Sequence, residues 1–86
     1  MKALISPGEM FNLTWISSWV KDDKDQWQPV YSEILDCQRV AEVELTPFEV
    51  AQPLHWVDCP DDCVADQWYY KDDACYIKPT NVSRPE

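Results

Sequence analysis

The chain has 86 residues, which permits one domain burying roughly 60–65% of the surface that its unfolded form would expose. Five Trp, four Tyr and two Phe exclude a disordered acidic segment, and no apolar run reaches the about 18–20 residues that span a bilayer. The net charge of −9 repels phosphate backbones and excludes nucleic acid as a partner. Two explanations of the charge stay open, namely solubility and attraction to a basic protein.

The first segment, MKALISPGEMFNL, carries Pro7 and Glu9 where a signal peptide requires an unbroken apolar stretch. We therefore expect synthesis in a cytoplasm, where thiols stay reduced and the four cysteines are free. The patterning predicts an extended N-terminal arm or first strand at residues 1–10, a β domain at 11–77 and a polar C-terminal tail at 78–86.

Apolar residues alternate with polar ones at the start of this domain, and a period of two predicts a strand. In residues 12–20, the side chains of Leu13, Trp15 and Trp19 are predicted to share one face. Residues 21–25, KDDKD, follow as a predicted turn, because Asp side chains accept hydrogen bonds from nearby backbone amides.

The middle of the chain, residues 31–45, has apolar residues at helical as well as strand spacing. The alternation within 39–45, where Ala41, Val43 and Leu45 point one way, favours a strand for the second half. Seven prolines spread along the chain leave no room for a long helix.

Near the C-terminus, QWYY and CYIK flank residues 71–74, KDDA, and predict a β-hairpin with a four-residue loop. The whole pattern predicts a mainly β fold. We expect a small single-domain sheet or a compact sandwich of about five to seven short strands, with extended termini and at most one short helical turn.

The cysteines allow three interpretations. His55, Cys59 and Cys63 have the spacing of zinc ligands on one helix face, but Pro60 breaks that helix. A disulfide is the stronger alternative, in which Cys75 pairs with Cys59 or Cys63. In the third, which we favour, the thiols are small buried hydrophobic groups and bind no metal.

No motif in the chain predicts catalysis. There is no nucleophile motif and no glycine-rich phosphate loop, and the aspartates lack the spacing of an EF-hand. Neighbouring acids such as Asp61 and Asp62 have no evident cleft to perturb their pKa values. We therefore expect a protein that is not an enzyme and that holds no cofactor.

Acidic and aromatic residues are concentrated between residues 55 and 79, and Trp or Tyr beside carboxylates is typical of a contact surface for arginine-bearing partners. Packing of the same rings under turns is the alternative. The partner-contact candidates are Asp58, Asp61, Asp62, Asp66, Trp68, Tyr70, Asp72, Asp73, Lys78 and Pro79.

Three stretches, MKALISP, RVAEVE and FEVAQPLHWVDCPDDCVADQWYY, resemble a group of short uncharacterised proteins of tailed bacteriophages, especially those of cyanobacteria and other aquatic bacteria. The resemblance covers residues 1–7 and about 39–77. It implies a phage product and supplies no catalytic residues. The pair Cys59 and Cys63 is not a feature of the group.

The phage context implies a structural component of the virion, made in the host cytoplasm. We expect a small capsid decoration or cement protein, present in many copies of a symmetric assembly and bound to a larger phage capsid or tail subunit. The alternatives are a small tail, baseplate or fibre component, and an acidic intracellular effector that mimics DNA or inhibits a host protein.

Overall fold

The computed structural model describes residues 1–86 and forms one open antiparallel sheet without a helix. The strands are β1 Lys2–Lys21, β2 Trp27–Glu44, β3 His55–Asp58, β4 Trp68–Lys71 and β5 Ala74–Ile77. Their order in the sheet is β3-β1-β2-β4-β5. The predicted mainly β class is confirmed, in the form of a single sheet and not a sandwich.

Two long strands divide the molecule into a base and a ribbon. β1 and β2 have 20 and 18 residues, while the other strands have 4 each. Within residues 11–37 these two strands pair only with each other, and we call this part the ribbon; residues 1–10 and 38–77 form the base. The molecule measures 58 × 23 × 16 Å, with a radius of gyration of 16.7 Å against about 12 Å for a compact domain of this length.

A β-bulge sets the inward face of β2 in the base. Successive residues Leu4 and Ile5 of β1 pair with residues two apart on β2, which leaves Ala41 without a partner. The extra residue turns Val40 and Val43 toward the same core. The predicted face of Ala41 and Val43 did not include Val40, which the inserted residue brings to the same side as Val43.

A second bulge, at Ser17, has the same effect in the ribbon. Trp15 lies opposite Ser32, but Trp19 lies opposite Pro29, so the two indoles are out of phase. The shared face predicted for Trp15 and Trp19 is lost for this reason.

The sheet of the base is strongly curled. Four strand spacings would separate the edge strands β3 and β5 by about 19 Å in a flat sheet. Instead Cys59, directly after β3, and Cys75, on β5, both pack against the same core cluster, and the His55 and Tyr70 rings are 6.2 Å apart. The concave face encloses the core, which consists of Ala3, Ile5, Val40, Cys63 and Trp68.

Asp residues form both predicted turns. The Asp22 carboxylate accepts hydrogen bonds from the Lys24 and Gln26 amides, each at 2.9 Å, and closes the turn between β1 and β2. The β4–β5 loop has two residues, Asp72 and Asp73, with φ of 50° and 65° as in a type I′ turn. The predicted four-residue loop is too long, because its outer residues Lys71 and Ala74 pair with each other as part of the two strands.

The C-terminal tail packs along the ribbon. The Lys78 amide donates to the Gln67 carbonyl at 2.9 Å, where the tail leaves the base. Farther along, the Val82 amide donates to the Ile16 carbonyl at 2.9 Å, and the Asn81 side-chain oxygen accepts from the Ile16 amide at 2.8 Å. These contacts run beside β1.

The tail ends at the tip of the ribbon. The Trp19 indole donates to the Val82 carbonyl at 2.8 Å, and Arg84 lines a cleft of about 290 Å³ with Asp25 and Trp27. The N-terminal segment is also held within the chain, since residues 2–5 lie between β3 and β2. Both termini are thus engaged by the protein's own sheet.

Removing residues 79–86 is expected to destabilise the protein by about 2 kcal/mol, because three hydrogen bonds to the ribbon are lost. The hydrogen of the Trp19 indole N–H group should also exchange faster with solvent. Thermal unfolding and the indole resonances in NMR spectra measure both effects. Removal of residues 85–86 alone is the matched control and should leave the stability and the indole exchange rate unchanged. Equal effects of the two truncations would contradict the contacts described.

Candidate functional site

The aromatic candidates Trp68 and Tyr70 lie on β4 and face the core. Trp68 is only 8% exposed and packs in the core, so it offers no contact surface. Tyr70 is half-buried, and its hydroxyl donates to the Asp73 carboxylate at 3.3 Å. Asp72 and Asp73 form the tight turn after β4, at one end of the base.

Three acidic candidates pair with cations of this chain. Asp58 forms an ion pair with Lys2, whose hydrogen bond lowers the pKa of that carboxyl. Asp61 lies 3.6 Å from the N-terminal amine, and Asp66 binds Arg39. Asp62 and Asp72 make no ion pair or side-chain hydrogen bond and are the two acids of this cluster that face only solvent.

The remaining candidates begin the tail. The Lys78 ammonium lies 4.6 Å from the centre of the Phe11 ring, a cation–π contact with the foot of the ribbon. Pro79 borders a cleft of about 270 Å³ with Asp66 and Ile77. These residues belong to the contact between tail and base.

Arg39 joins β1 to the loop before β4. Its Nη1 donates to both carboxylate oxygens of Glu9 at 3.0 Å, and its Nε and Nη2 form a bidentate pair with the Asp66 carboxylate at 2.8 and 3.3 Å. The pKa of Glu9 is lowered by hydrogen bonds from Ser6 and from Arg39. The pKa of Asp66 is lowered chiefly by its hydrogen bond to Arg39.

The helical register considered for zinc at His55, Cys59 and Cys63 does not form. Residues 55–58 are a strand and a turn follows, so the helix that would align His55 with Cys59 and Cys63 is absent. The His55 ring packs against Tyr70, with Nδ1 3.2 Å from a backbone carbonyl. No group of three or more His, Cys, Asp or Glu side chains has an arrangement that holds a metal ion.

Three of the four thiols come together on the concave face of the base. Cys63 is buried, and Cys59 and Cys75 both pack against the core cluster to which it belongs. Burial and the neighbouring Cys59 raise the pKa of Cys63 to about 12, and burial raises that of Cys75. Cys37 lies apart, at the foot of the ribbon, with its thiol 3.7 Å from the Ile34 carbonyl.

The ribbon exposes apolar side chains that the base does not cover. Eight of the nine buried residues belong to the base and only Cys37 belongs to the ribbon. Tyr31 is 62% exposed, and three aliphatic residues are also exposed: Val20, Val30 and Leu35. Sequence reasoning missed this surface because alternation reports which residues share a face, and not whether another layer covers that face.

The outer edge of the ribbon is also open. β4 pairs with β2 only at Gln38 and Arg39, and the Lys71 ammonium donates to the Leu35 carbonyl, so residues 27–34 have no partner on that side. A row of unpaired backbone groups on an extended strand can accept an additional strand. The exposed apolar side chains lie on both faces of the ribbon, since Val30 and Tyr31 are successive strand residues, and we call these side chains and the open edge together the ribbon surface.

Comparisons with protein-family models, with curated proteins and with solved structures found no match. Among the elements of the fold there is no helix long and apolar enough to cross a membrane. The chemistry of the ribbon surface and of the acidic residues therefore carries the functional proposal.

Replacing Arg39 with Gln should lower the free energy of unfolding at pH 7, and the deficit should shrink in acid. The ordinary pKa values of Glu9 and Asp66 are 4.5 and 3.8, and both are lower in the folded protein. The contribution of these two carboxylates to the free energy of unfolding is therefore complete above their ordinary pKa values. It is lost as the pH falls through their lower pKa values in the folded protein. Urea unfolding at pH 7 and at about pH 2 measures the difference.

Arg84→Gln is the control, because Arg84 makes no ion pair. It should change the free energy of unfolding little at either pH. A deficit for Arg39→Gln of equal size at both pH values would show that the carboxylates contribute nothing through this contact.

Proposed function

We propose that this protein is a structural component of a bacteriophage virion, a small capsid decoration or cement protein that binds larger capsid subunits. The observation that carries the proposal is the uncovered ribbon surface. The phage context comes from the sequence resemblance alone, whereas the uncovered apolar side chains of the ribbon support the proposal of a covering partner.

The ribbon has too little buried surface to be stable by its own packing. Isolated two-stranded hairpins are marginally stable in water, and at least a third strand or a second layer is usually needed. The tail supplies backbone contacts at Ile16 and Val82, but Val30, Tyr31 and Leu35 stay exposed. A partner that covers these side chains would complete the ribbon.

The open edge of β2 suggests how that partner binds. A strand of a larger subunit can pair along residues 30–34; Pro29 limits the pairing on one side because it has no amide, and the Lys71 contact with the Leu35 carbonyl limits it on the other. Glu33 and Asp36 flank the exposed apolar residues, and the net charge of the chain is −9. We therefore propose a basic partner surface, whose Lys and Arg residues accelerate association and fix its register.

The shape fits a seam between large subunits. A molecule 58 Å long and 16 Å thick can lie along a lattice boundary and contact subunits on both sides. A projecting ribbon is also compatible with the second candidate, a tail, baseplate or fibre component. The third, a DNA mimic, is less favoured because Asp58, Asp61 and Asp66 are occupied by cations of this chain.

Quantitative mass spectrometry of purified particles should find this chain in hundreds of copies per particle, as expected for a site repeated over a capsid lattice. About six to a few dozen copies would instead indicate a tail or portal site. Its absence from particles would contradict the virion proposal and favour the intracellular effector.

Tyr31→Ala should weaken attachment to particles about tenfold, because an exposed aromatic residue at the centre of an interface is a typical binding hot spot. Leu45→Ala is the matched control, since Leu45 is 80% exposed but lies at the end of the base. It should change the affinity less than about twofold. Equal effects of the two variants would reject the ribbon surface as the contact.

A further inference from the structure

The cluster of Cys59, Cys63 and Cys75 is not used by the contacts described above. Cys63 lies in the turn closed by its own amide, which donates to the Pro60 carbonyl at 3.1 Å. From there its side chain enters the core cluster, against which Cys59 and Cys75 both pack. The three side chains pack against the core of the base.

These cysteines come from three separate elements, so the fold itself creates the cluster. Cys59 is held at the end of β3, where its amide donates to the Met1 carbonyl at 3.1 Å. Cys75 is held on β5 opposite Tyr70. Only the curl of the sheet brings these two edges to the same thiol, and a disulfide requires such prior proximity of the β-carbons.

We propose that the cluster is a redox-sensitive site in which Cys63 forms one disulfide, with Cys59 or with Cys75, and the third thiol stays free to exchange. Cys63 is the shared partner because it belongs to the buried core cluster against which Cys59 and Cys75 both pack. The three cysteines can hold only one disulfide at a time, so the free thiol can attack the bond and move it. The proposal does not rest on the virion function, since the cluster lies within one chain.

The oxidant that the proposal names is a small-molecule disulfide, such as glutathione disulfide. Cys59 or Cys75, both partly exposed, attacks it as a thiolate, breaks its sulfur–sulfur bond and releases one glutathione. Cys63 then attacks the protein sulfur of the mixed disulfide and releases the second glutathione. Two protein thiols lose two electrons and two protons, and one glutathione disulfide becomes two glutathione thiols.

The disulfide has a mechanical consequence for the base. A bond from Cys63 to Cys75 ties the loop over the concave face to the edge strand β5, whereas a bond from Cys63 to Cys59 closes a short loop after β3. Either bond restricts the unfolded chain. We expect the melting temperature of the oxidised protein to rise by about 10 °C.

The test is intact-mass analysis of the full chain, first reduced and then equilibrated with glutathione disulfide. The wild-type protein should lose the mass of two hydrogen atoms, and peptide mapping should place the bond at Cys63. Cys59→Ser and Cys75→Ser should each still form one bond, because each keeps one partner of Cys63. Cys37→Ser is the control and should behave as the wild type.

Cys63→Ser should form no internal disulfide and should instead carry glutathione on Cys59 or Cys75. Circular dichroism of the reduced variant establishes that it folds, and Cys63→Ala provides a second variant in case Ser is not tolerated in the core. A wild-type protein that forms no internal disulfide would overturn the proposal. So would a Cys63 variant that pairs Cys59 with Cys75 as readily as the wild type forms its bond.

Discussion

Ile5 and Val40 lie opposite each other on β1 and β2, and they are the largest aliphatic side chains fully removed from solvent. Burying two such side chains contributes about 3–6 kcal/mol, a large share of what a domain this small can gain. Their contact depends on the bulge at Ala41, which turns Val40 inward. Trp68 and Cys63 complete the core cluster around this pair, and Cys59 and Cys75 pack against it.

The same small core explains the division between base and ribbon. Only the base has short strands on both sides of β1 and β2, so only there does the sheet curl around a buried interior. Beyond Met10 the two long strands continue without neighbours, and the tail gives them a partial third strand at Ile16. The ribbon is therefore the part of the molecule whose stability depends most on what it contacts.

The sequence predicted the fold class and the turns because both are local properties. Period-two alternation indicates strands, and Asp22 and Asp72 occupy turns that their side chains favour. The lengths of β1 and β2 could not be predicted, since bulges at Ser17 and Ala41 interrupt the alternation while the pairing continues. Alternation within one strand does not show where its partner inserts a residue.

The acidic candidates illustrate the same limit for the site. Their clustering was visible in the sequence, but their partners Lys2 and Arg39 are far away along the chain. The tail likewise packs on the ribbon through contacts between residues far apart in the chain, such as Val82 and Ile16. Amino-acid composition does not predict such contacts. The three thiols come together only because the sheet curls, which is not a local property of the sequence. The sequence alone therefore allowed several disulfide pairings and did not distinguish among them.

Amide hydrogen exchange of the isolated chain tests most directly whether the base is self-sufficient and the ribbon is not. The account predicts that amides around Ile5 and Val40 exchange only through global unfolding. Amides of residues 27–36 should exchange through local opening, with free energies several kcal/mol lower. Equal opening free energies in the ribbon and the base would contradict the account, because the ribbon would then be stable without any partner.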